Sequence, residues 1–333
     1  MKKPGFRVLF AERAGEKANF SVREIGMSDL PAGDLLIRAQ YSSINYKDAC
    51  SAEPNRKVVK AYPIVPGIDV AGIVATSNSP LFSEGDKVIV HGYGLGVSQF
   101  GGYAEYVRVP ADWAVKLPPG LTPKEAALIG TAGFTAALAI WRLEECGLTP
   151  AAGPVLVTGA TGGVGSMAVA MLSKRGYNVE AATGKSAAHD YLRRLGAQKV
   201  LAREEVADQA EKPLSPQRWF GTVDSVGGRT LAAALSGTKY GGAVAACGLA
   251  GGFAFPATVY PFILRGVSLL GIDSVALPIA ERRKLWRQIA EQFKPDPGLL
   301  NLMVNREIPL ENIPAGFAEL LSGRVTGRIL VRI

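Results

Sequence analysis

The stretch VLVTGATGGVGS, residues 155–166, carries the densest chemical signal in the chain. An apolar, β-branched run enters a glycine cluster, and the helical pattern MAVAMLSKRG leaves it. A second apolar run, Tyr177–Ala182, follows. Strand, tight turn, helix and strand in that order seat the diphosphate of a dinucleotide on a helix N-terminus. Unpaired N–H groups and the helix dipole both favour an anion there. Gly162 can stand where a side chain would block the phosphates, and Gly165 lets helix and strand pack closely. Gly163, Val164 and Ser166 complete the expected turn around them.

The residues after the second strand select the cofactor. NAD sites carry a carboxylate there to bind the ribose hydroxyls. This chain reads Ala182-Thr183-Gly184-Lys185-Ser186, with no acid and a lysine at once. Thr183, Gly184, Lys185 and Ser186 suit a 2′-phosphate, which an acid would repel. Arg203, after the apolar run Lys199–Ala202, can reach the same region. The expected cofactor is NADPH, not NADH.

These groups need a scaffold. Strands are expected at 155–159, 178–182, 199–202, 222–226, 243–247 and 268–272, with helices between the earlier ones. Such alternation predicts an α/β fold with a doubly wound parallel sheet of the Rossmann type. Ahead of it come short strand-like runs with turn punctuation, at 7–10, 35–39, 70–74, 87–90 and 102–107, which predict a β-rich domain. A helix is expected over about 279–293. The final run, 328–333, reads as a strand returning to the first domain. The predicted division is therefore 1–124 with 275–333 as one domain and 125–274 as the dinucleotide-binding domain inserted in it.

The composition narrows the partners. A net charge of +8 favours anionic ligands. Lys and Arg are spread along the chain with no basic block interleaved with aromatics, so no nucleic-acid partner is expected. No uninterrupted apolar run is long enough to span a bilayer. No apolar signal core follows the basic start Met1-Lys-Lys-Pro-Gly5. The expectation is a cytoplasmic protein without a membrane partner. Cys50, Cys146 and Cys247 lie far apart and make neither a disulfide framework nor a zinc-ligand spacing. The only histidines are His91 and His189, too few for a metal site built on imidazole and thiolate. No metal is expected.

Several motifs together resemble the medium-chain dehydrogenase/reductases. They are Ser43-Ile-Asn-Tyr-Lys-Asp48, Pro66-Gly-Ile-Asp-Val-Ala-Gly72, Gly85-Asp-Lys-Val88, Gly101-Gly-Tyr-Ala-Glu105, Gly130-Thr-Ala-Gly-Phe-Thr-Ala136, the phosphate turn and Gly327-Arg328. Asn45-Tyr-Lys-Asp48, Ala246-Cys-Gly-Leu-Ala-Gly-Gly252, Pro261-Phe-Ile-Leu-Arg265 and Gly271-Ile-Asp-Ser274 are similar to one zinc-free, quinone-oxidoreductase-like branch, that of NADPH-dependent acrylyl-CoA reductases. The resemblance spans essentially the whole chain. It implies a GroES-like β-rich domain interrupted by a Rossmann domain.

In zinc-dependent members of that family the first metal ligand is a Cys at the place of Asn45 and the second a His at the place of Ile68. Neither residue here can serve. The implied reaction is metal-free reduction of an activated C=C bond in a short acyl-CoA, acrylyl-CoA to propionyl-CoA. Tyr46, Asn45 and Lys47 are the expected catalytic residues. Tyr46 is placed against the nicotinamide and orders the carbonyl or a water; Asn45 donates to an oxyanion. Thr135, Ile263, Ser274 and Arg328 are implied at the cofactor. Cys247, Gly248 and Leu249 are implied to line the nicotinamide pocket through their backbone. Asp48 and Asp69 are expected to fix turns, and His91 to be structural. Relatives pair through the late Rossmann strand, so a homodimer is expected. Two alternatives stand beside this reading: an NADPH:quinone oxidoreductase, and an NADPH-binding structural or RNA-associated protein without turnover.

Overall fold

The computed structural model describes residues 5–333, which fall into two compact units. One takes the chain up to Thr131, Val275–Ala290 and Val304–Ile333; the other takes Ala132–Ser274 and Glu291–Met303. The expected boundary near 124 compares with 131, and residues 291–303, expected in the first unit, pack with the second.

The first unit is built on a seven-stranded sheet. Its order runs Val304–Ile308, Arg328–Arg332, Leu35–Ser43, Asp69–Ser77, Lys87–His91, Ala114–Lys116, with Tyr106–Val109 also on the Leu35–Ser43 strand. Alternate residues Leu35, Ile37 and Ala39 are buried, as the two-residue period of a one-sided sheet requires. They meet Val70, Val88 and Phe317 in one apolar core. The last strand pairs antiparallel with Leu35–Ser43, placing Leu330 opposite Ser43, so the chain does return to this unit. A separate hairpin joins Phe6–Ala14 to Lys17–Ile25. Its second strand was not expected, because its polar sequence is only partly buried.

The second unit holds six parallel strands in the order Lys199–Ala202, Val179–Thr183, Val155–Val157, Trp219–Asp224, Thr238–Ala246, Ser268–Gly271. In chain order this is 3-2-1-4-5-6, the doubly wound dinucleotide-binding topology. Val155–Val157 is buried throughout, as a central strand covered on both faces must be.

Two helices differ from the expectation. The run 279–293 is α-helical over Ile279–Gln288 and widens to a π-helix over Ile289–Phe293. The helix Pro123–Glu145 breaks at Gly130, with φ 47° and ψ −155°. That helix is also long and apolar enough to cross a membrane by length and composition, although most of it is buried inside the protein.

Candidate functional site

In the second unit the phosphate turn follows its strand as expected. Gly162 caps the helix Gly163–Lys174 with extended backbone. The first-turn N–H groups of Gly163, Val164 and Gly165 therefore have no acceptor within their own helix and face the turn's mouth. A Cβ on Gly165 would collide with the backbone of Gly159 and Ala160, so close helix–strand packing requires glycine there. Ser166 is fully buried and turned inward: its hydroxyl donates to Ala160 O (3.3 Å) and accepts from Tyr191 Oη (2.9 Å). It braces the turn rather than offering a hydroxyl to the mouth.

The strand-end residues bring two cations, Lys185 and Arg203, next to Gly184. Arg203 lies so close over Gly184 that a Cβ there would fall inside its guanidinium. Lys185 follows directly, half-buried, and burial lowers its ammonium below the usual lysine value. Thr183 is buried; its hydroxyl accepts from Lys185 N (3.1 Å) and meets Thr161 Oγ1 (3.2 Å). One threonine pair thus ties the diphosphate turn to the Lys185 turn. Ser186 is exposed at the start of the next turn. Thr135 and Ser274, far apart in sequence, share a hydrogen bond of 2.7 Å between hydroxyls.

At the end of the strand Trp219–Asp224, Asp224 is buried and accepts from Thr158 Oγ1 (2.6 Å) and Gly227 N (2.8 Å). Cys247 donates its N–H to Asp224 O at 2.8 Å. Burial, with Asp224 beside it, pushes its thiol up to about 12, away from a thiolate at neutral pH. Gly248 packs on the Ser225 backbone. Leu249 and Ile263 are both well exposed.

In the first unit the motif around Asn45 is a closed network. Asn45 Nδ2 donates to Asp69 Oδ2 (2.8 Å) and Asp48 Oδ2 (3.2 Å), and its Oδ1 accepts from Arg328 Nη1 (2.9 Å). Asp69 also accepts from Ser43 Oγ (2.7 Å) and from Thr131 Oγ1 (2.6 Å) and N (3.0 Å). The helix break makes this last contact: a Cβ on Gly130 would strike Asp69, so only glycine lets the carboxylate approach. Asp48 binds the N–H groups of Asn45 (2.9 Å) and Ile68 (2.8 Å). Its burial, with Asp69 beside it, raises its carboxyl to about 7.

Two expectations are corrected here. The Asn45 amide is spent on Asp48, Asp69 and Arg328, so it is not free to serve an oxyanion. Arg328, expected at the cofactor, is buried and donates to Leu128 O (3.1 Å), Ile44 O (3.2 Å), Asn45 Oδ1 and Ser43 Oγ (2.6 Å). Its guanidinium lies 3.6 Å from Asp69. It latches the unit together and has little left for a phosphate. Sequence gave no sign of this, because the partners are separated by 285 residues between Ser43 and Arg328.

The other two residues expected to be catalytic stay open. Tyr46 is 41% exposed, and Lys47 is half-buried. The Tyr46 hydroxyl accepts from Arg56 Nη1 at 3.2 Å, a partner that sequence reasoning missed. His91 is structural as expected. It is fully buried, its ring accepts from Trp286 Nε1 (2.9 Å), and it lies 2.8 Å from Arg282 Nη1. Burial and Arg282 hold it well below the usual histidine value, hence neutral.

A zinc ion does not fit the two positions that hold it in zinc-dependent members of the family implied by the sequence. The two ligand positions hold Asn45, already saturated, and buried Ile68. No group of three or more His, Cys, Asp or Glu suited to a metal occurs among the described residues.

Comparison with known proteins agrees with this architecture. Residues 31–119 match the alcohol dehydrogenase GroES-like domain and residues 163–291 the zinc-binding dehydrogenase domain. The chain belongs to the medium-chain dehydrogenase/reductase family, in a zinc-free branch. Within it, the chain is 52% identical to the Bacillus subtilis protein named "Putative quinone oxidoreductase YhfP", over 98% of this chain and 99% of that one. A crystal structure of YhfP with NAD bound aligns with a TM-score of 0.96 at 51% identity, over 99% of this chain and 100% of that one. The acrylyl-CoA reductase AcuI of Ruegeria pomeroyi is 46% identical over 98% of this chain and 99% of its own length. The YhdH oxidoreductase of Salmonella enterica in complex with NADP aligns with a TM-score of 0.95 at 45% identity, over 98% of this chain and 99% of that one.

Proposed function

We propose that this protein is an NADPH-dependent reductase of the C=C bond of a short α,β-unsaturated acyl-CoA, acting without a metal. The observation that carries the reading is the closed Asn45–Asp48–Asp69–Arg328 network at the former metal position. With that position filled, nothing there acts as a Lewis acid to polarise an alcohol for oxidation. An activated C=C bond needs no such help, because charge from the added hydride spreads onto its carbonyl oxygen.

The cofactor reading rests on the Gly184, Lys185 and Arg203 seat and on NADP in the Salmonella enterica relative. The substrate reading rests on AcuI. NADPH, when bound, would supply a hydride for the β-carbon. The N–H groups of Gly163 to Gly165 would hold its diphosphate, and Lys185 and Arg203 its 2′-phosphate. Tyr46 donates a hydrogen bond to the carbonyl oxygen as it becomes an enolate oxygen. Water supplies the proton that completes the α-carbon. Asn45 positions Tyr46 rather than touching substrate, and Lys47 stands beside it as a cation for the CoA phosphates. Two copies join along the Ser268–Gly271 edge, and the protein works in the cytoplasm.

Deuteride from C4 of NADPH should appear at the β-carbon of propionyl-CoA. The name of YhfP favours a second reading, a quinone reductase. Brisk turnover of a simple quinone, with no NADPH consumed by acrylyl-CoA, would establish that reading instead.

A further inference from the structure

Tyr46 begins the short helix Tyr46–Ala49, and its backbone is anchored through Asn45 to two buried carboxylates. Its side chain, by contrast, is exposed. The chain then folds back through the turns Cys50–Ala52 and Pro54–Arg56 and brings Arg56 to the ring. Arg56 lies with its guanidinium carbon 6.0 Å from the centre of the Tyr46 ring. Its Nη1 donates to Tyr46 Oη at 3.2 Å and approaches Cys50 Sγ at 3.7 Å. Its Nε donates to Glu53 Oε2 at 2.6 Å. Three groups therefore fix the guanidinium, and Glu53 is the anion that holds it.

A phenol has one proton to give and lone pairs to receive. A guanidinium only donates, so the Tyr46 oxygen must be the acceptor toward Arg56, and its own proton must point elsewhere. No acceptor for that proton is found among the described residues. We propose that Arg56, locked by Glu53, is a positioning residue that sets Tyr46 as a hydrogen-bond donor to the substrate carbonyl. The inference rests on the reduction proposed above and names the device that orients its donor. Arg56 fills the phenol's acceptor side with a cation. The free O–H is then aimed at the one atom that gains negative charge as hydride reaches the β-carbon. The cation next to the phenol strengthens that donation as charge grows. No bond to Tyr46 forms or breaks.

A double-mutant cycle tests this. Tyr46→Phe should lower kcat for acrylyl-CoA about a hundredfold, the usual cost of one oxyanion donor. Arg56→Met should lower kcat about tenfold, as expected for a donor weakened rather than removed, with KM for NADPH unchanged. Arg56→Lys, which keeps a cationic donor, should retain more activity than Arg56→Met. The double variant should be no slower than Tyr46→Phe alone, because Arg56 acts only through Tyr46. Multiplying losses, or a loss confined to KM for the acyl-CoA, would show that Arg56 meets the substrate itself and would overturn the proposal. A second arm needs no turnover. In protein labelled with 3-fluorotyrosine, the ¹⁹F resonance assigned by its loss in Tyr46→Phe should move in Arg56→Met and in Glu53→Gln. If acrylyl-CoA is not reduced at all, the functional reading fails by itself, and the ¹⁹F arm still decides the pairing. An unmoved resonance in both variants would overturn it.

Discussion

Replacing Gly184 with alanine is the sharpest probe of the cofactor seat, because it adds one methyl and alters no charge. The methyl would occupy space now taken by the Arg203 guanidinium. Arg203 is the party that moves, since it is the end of a flexible, largely exposed side chain whose one ion-pair partner among the described residues, Glu204, is 3.7 Å away. Backbone strain is not at issue, because Gly184 is not in the left-handed region. Fold stability should therefore change by no more than about 0.5 kcal/mol, as for ordinary surface substitutions. Binding should change more. A charge-assisted contact to the 2′-phosphate contributes about 1.5–3 kcal/mol, so its loss weakens NADPH roughly tenfold to a hundredfold. NADH has no 2′-phosphate and should bind as before. Dissociation constants for both cofactors, measured by quenching of protein fluorescence beside a thermal melt, give the answer. Equal weakening of NADPH and NADH, or no weakening of either, would refute Arg203 as the phosphate's holder. Arg203→Ala should reproduce the Gly184→Ala phenotype, and the pair should not be additive.

Asp48 makes stability depend on pH. Its carboxyl is raised from 3.8 to about 7 in the folded chain, so the folded state binds the extra proton between those values. The stability it lends is full below about pH 4 and is lost as pH rises through 7, by up to about 4 kcal/mol. In Asp48→Asn this falling component should vanish from urea midpoints taken across that range; parallel curves for the two proteins would contradict it. Leu269→Glu, on the exposed sheet-edge strand, should shift the protein toward monomer in light scattering. A wild-type protein that is monomeric at micromolar concentration would count against pairing there. Prolonged chelation should leave activity intact, given Asn45 and Ile68 at the ligand positions; activity lost with stoichiometric metal and restored on its return would reverse this.

What sequence revealed was local. Strand, glycine turn and helix between Val155 and Lys174 could be read because Gly165 and its neighbours act within one turn of chain. The six parallel strands were visible as apolar runs, since strands covered on both faces cannot be polar. The Lys17–Ile25 strand escaped because one face of a hairpin needs little apolar surface. The role of Asn45 escaped for another reason. Its amide is claimed by Asp69 and Arg328, and only the folded sheet brings these to it. Arg328 was placed at the cofactor by the family resemblance alone, and nothing in Gly327-Arg328-Ile329 announces its burial. Arg282 lies in the helix expected over 279–293 and is fully buried against His91, a placement nothing in that run signals. Long-range polar closure of this kind leaves no periodic trace.

Arg328 also sets a timetable for synthesis. The strands it clamps, with Ser43 and the helix end at Leu128, leave the ribosome long before it does. The gap to Leu128 alone is 200 residues. At the usual pace of translation that is roughly 10–40 s. During that interval Asp69 has Ser43, Asn45 and Thr131 for company but no cation, and the Leu35–Ser43 strand lacks the neighbour that Arg328–Arg332 will provide. The second unit, nearly continuous from Ala132 to Ser274, can meanwhile complete its sheet on the nascent chain. The Leu35–Ser43 strand thus waits for its partner until late in synthesis, and a chain stalled before residue 328 would present an open sheet edge to whatever chaperone or protease reaches it first.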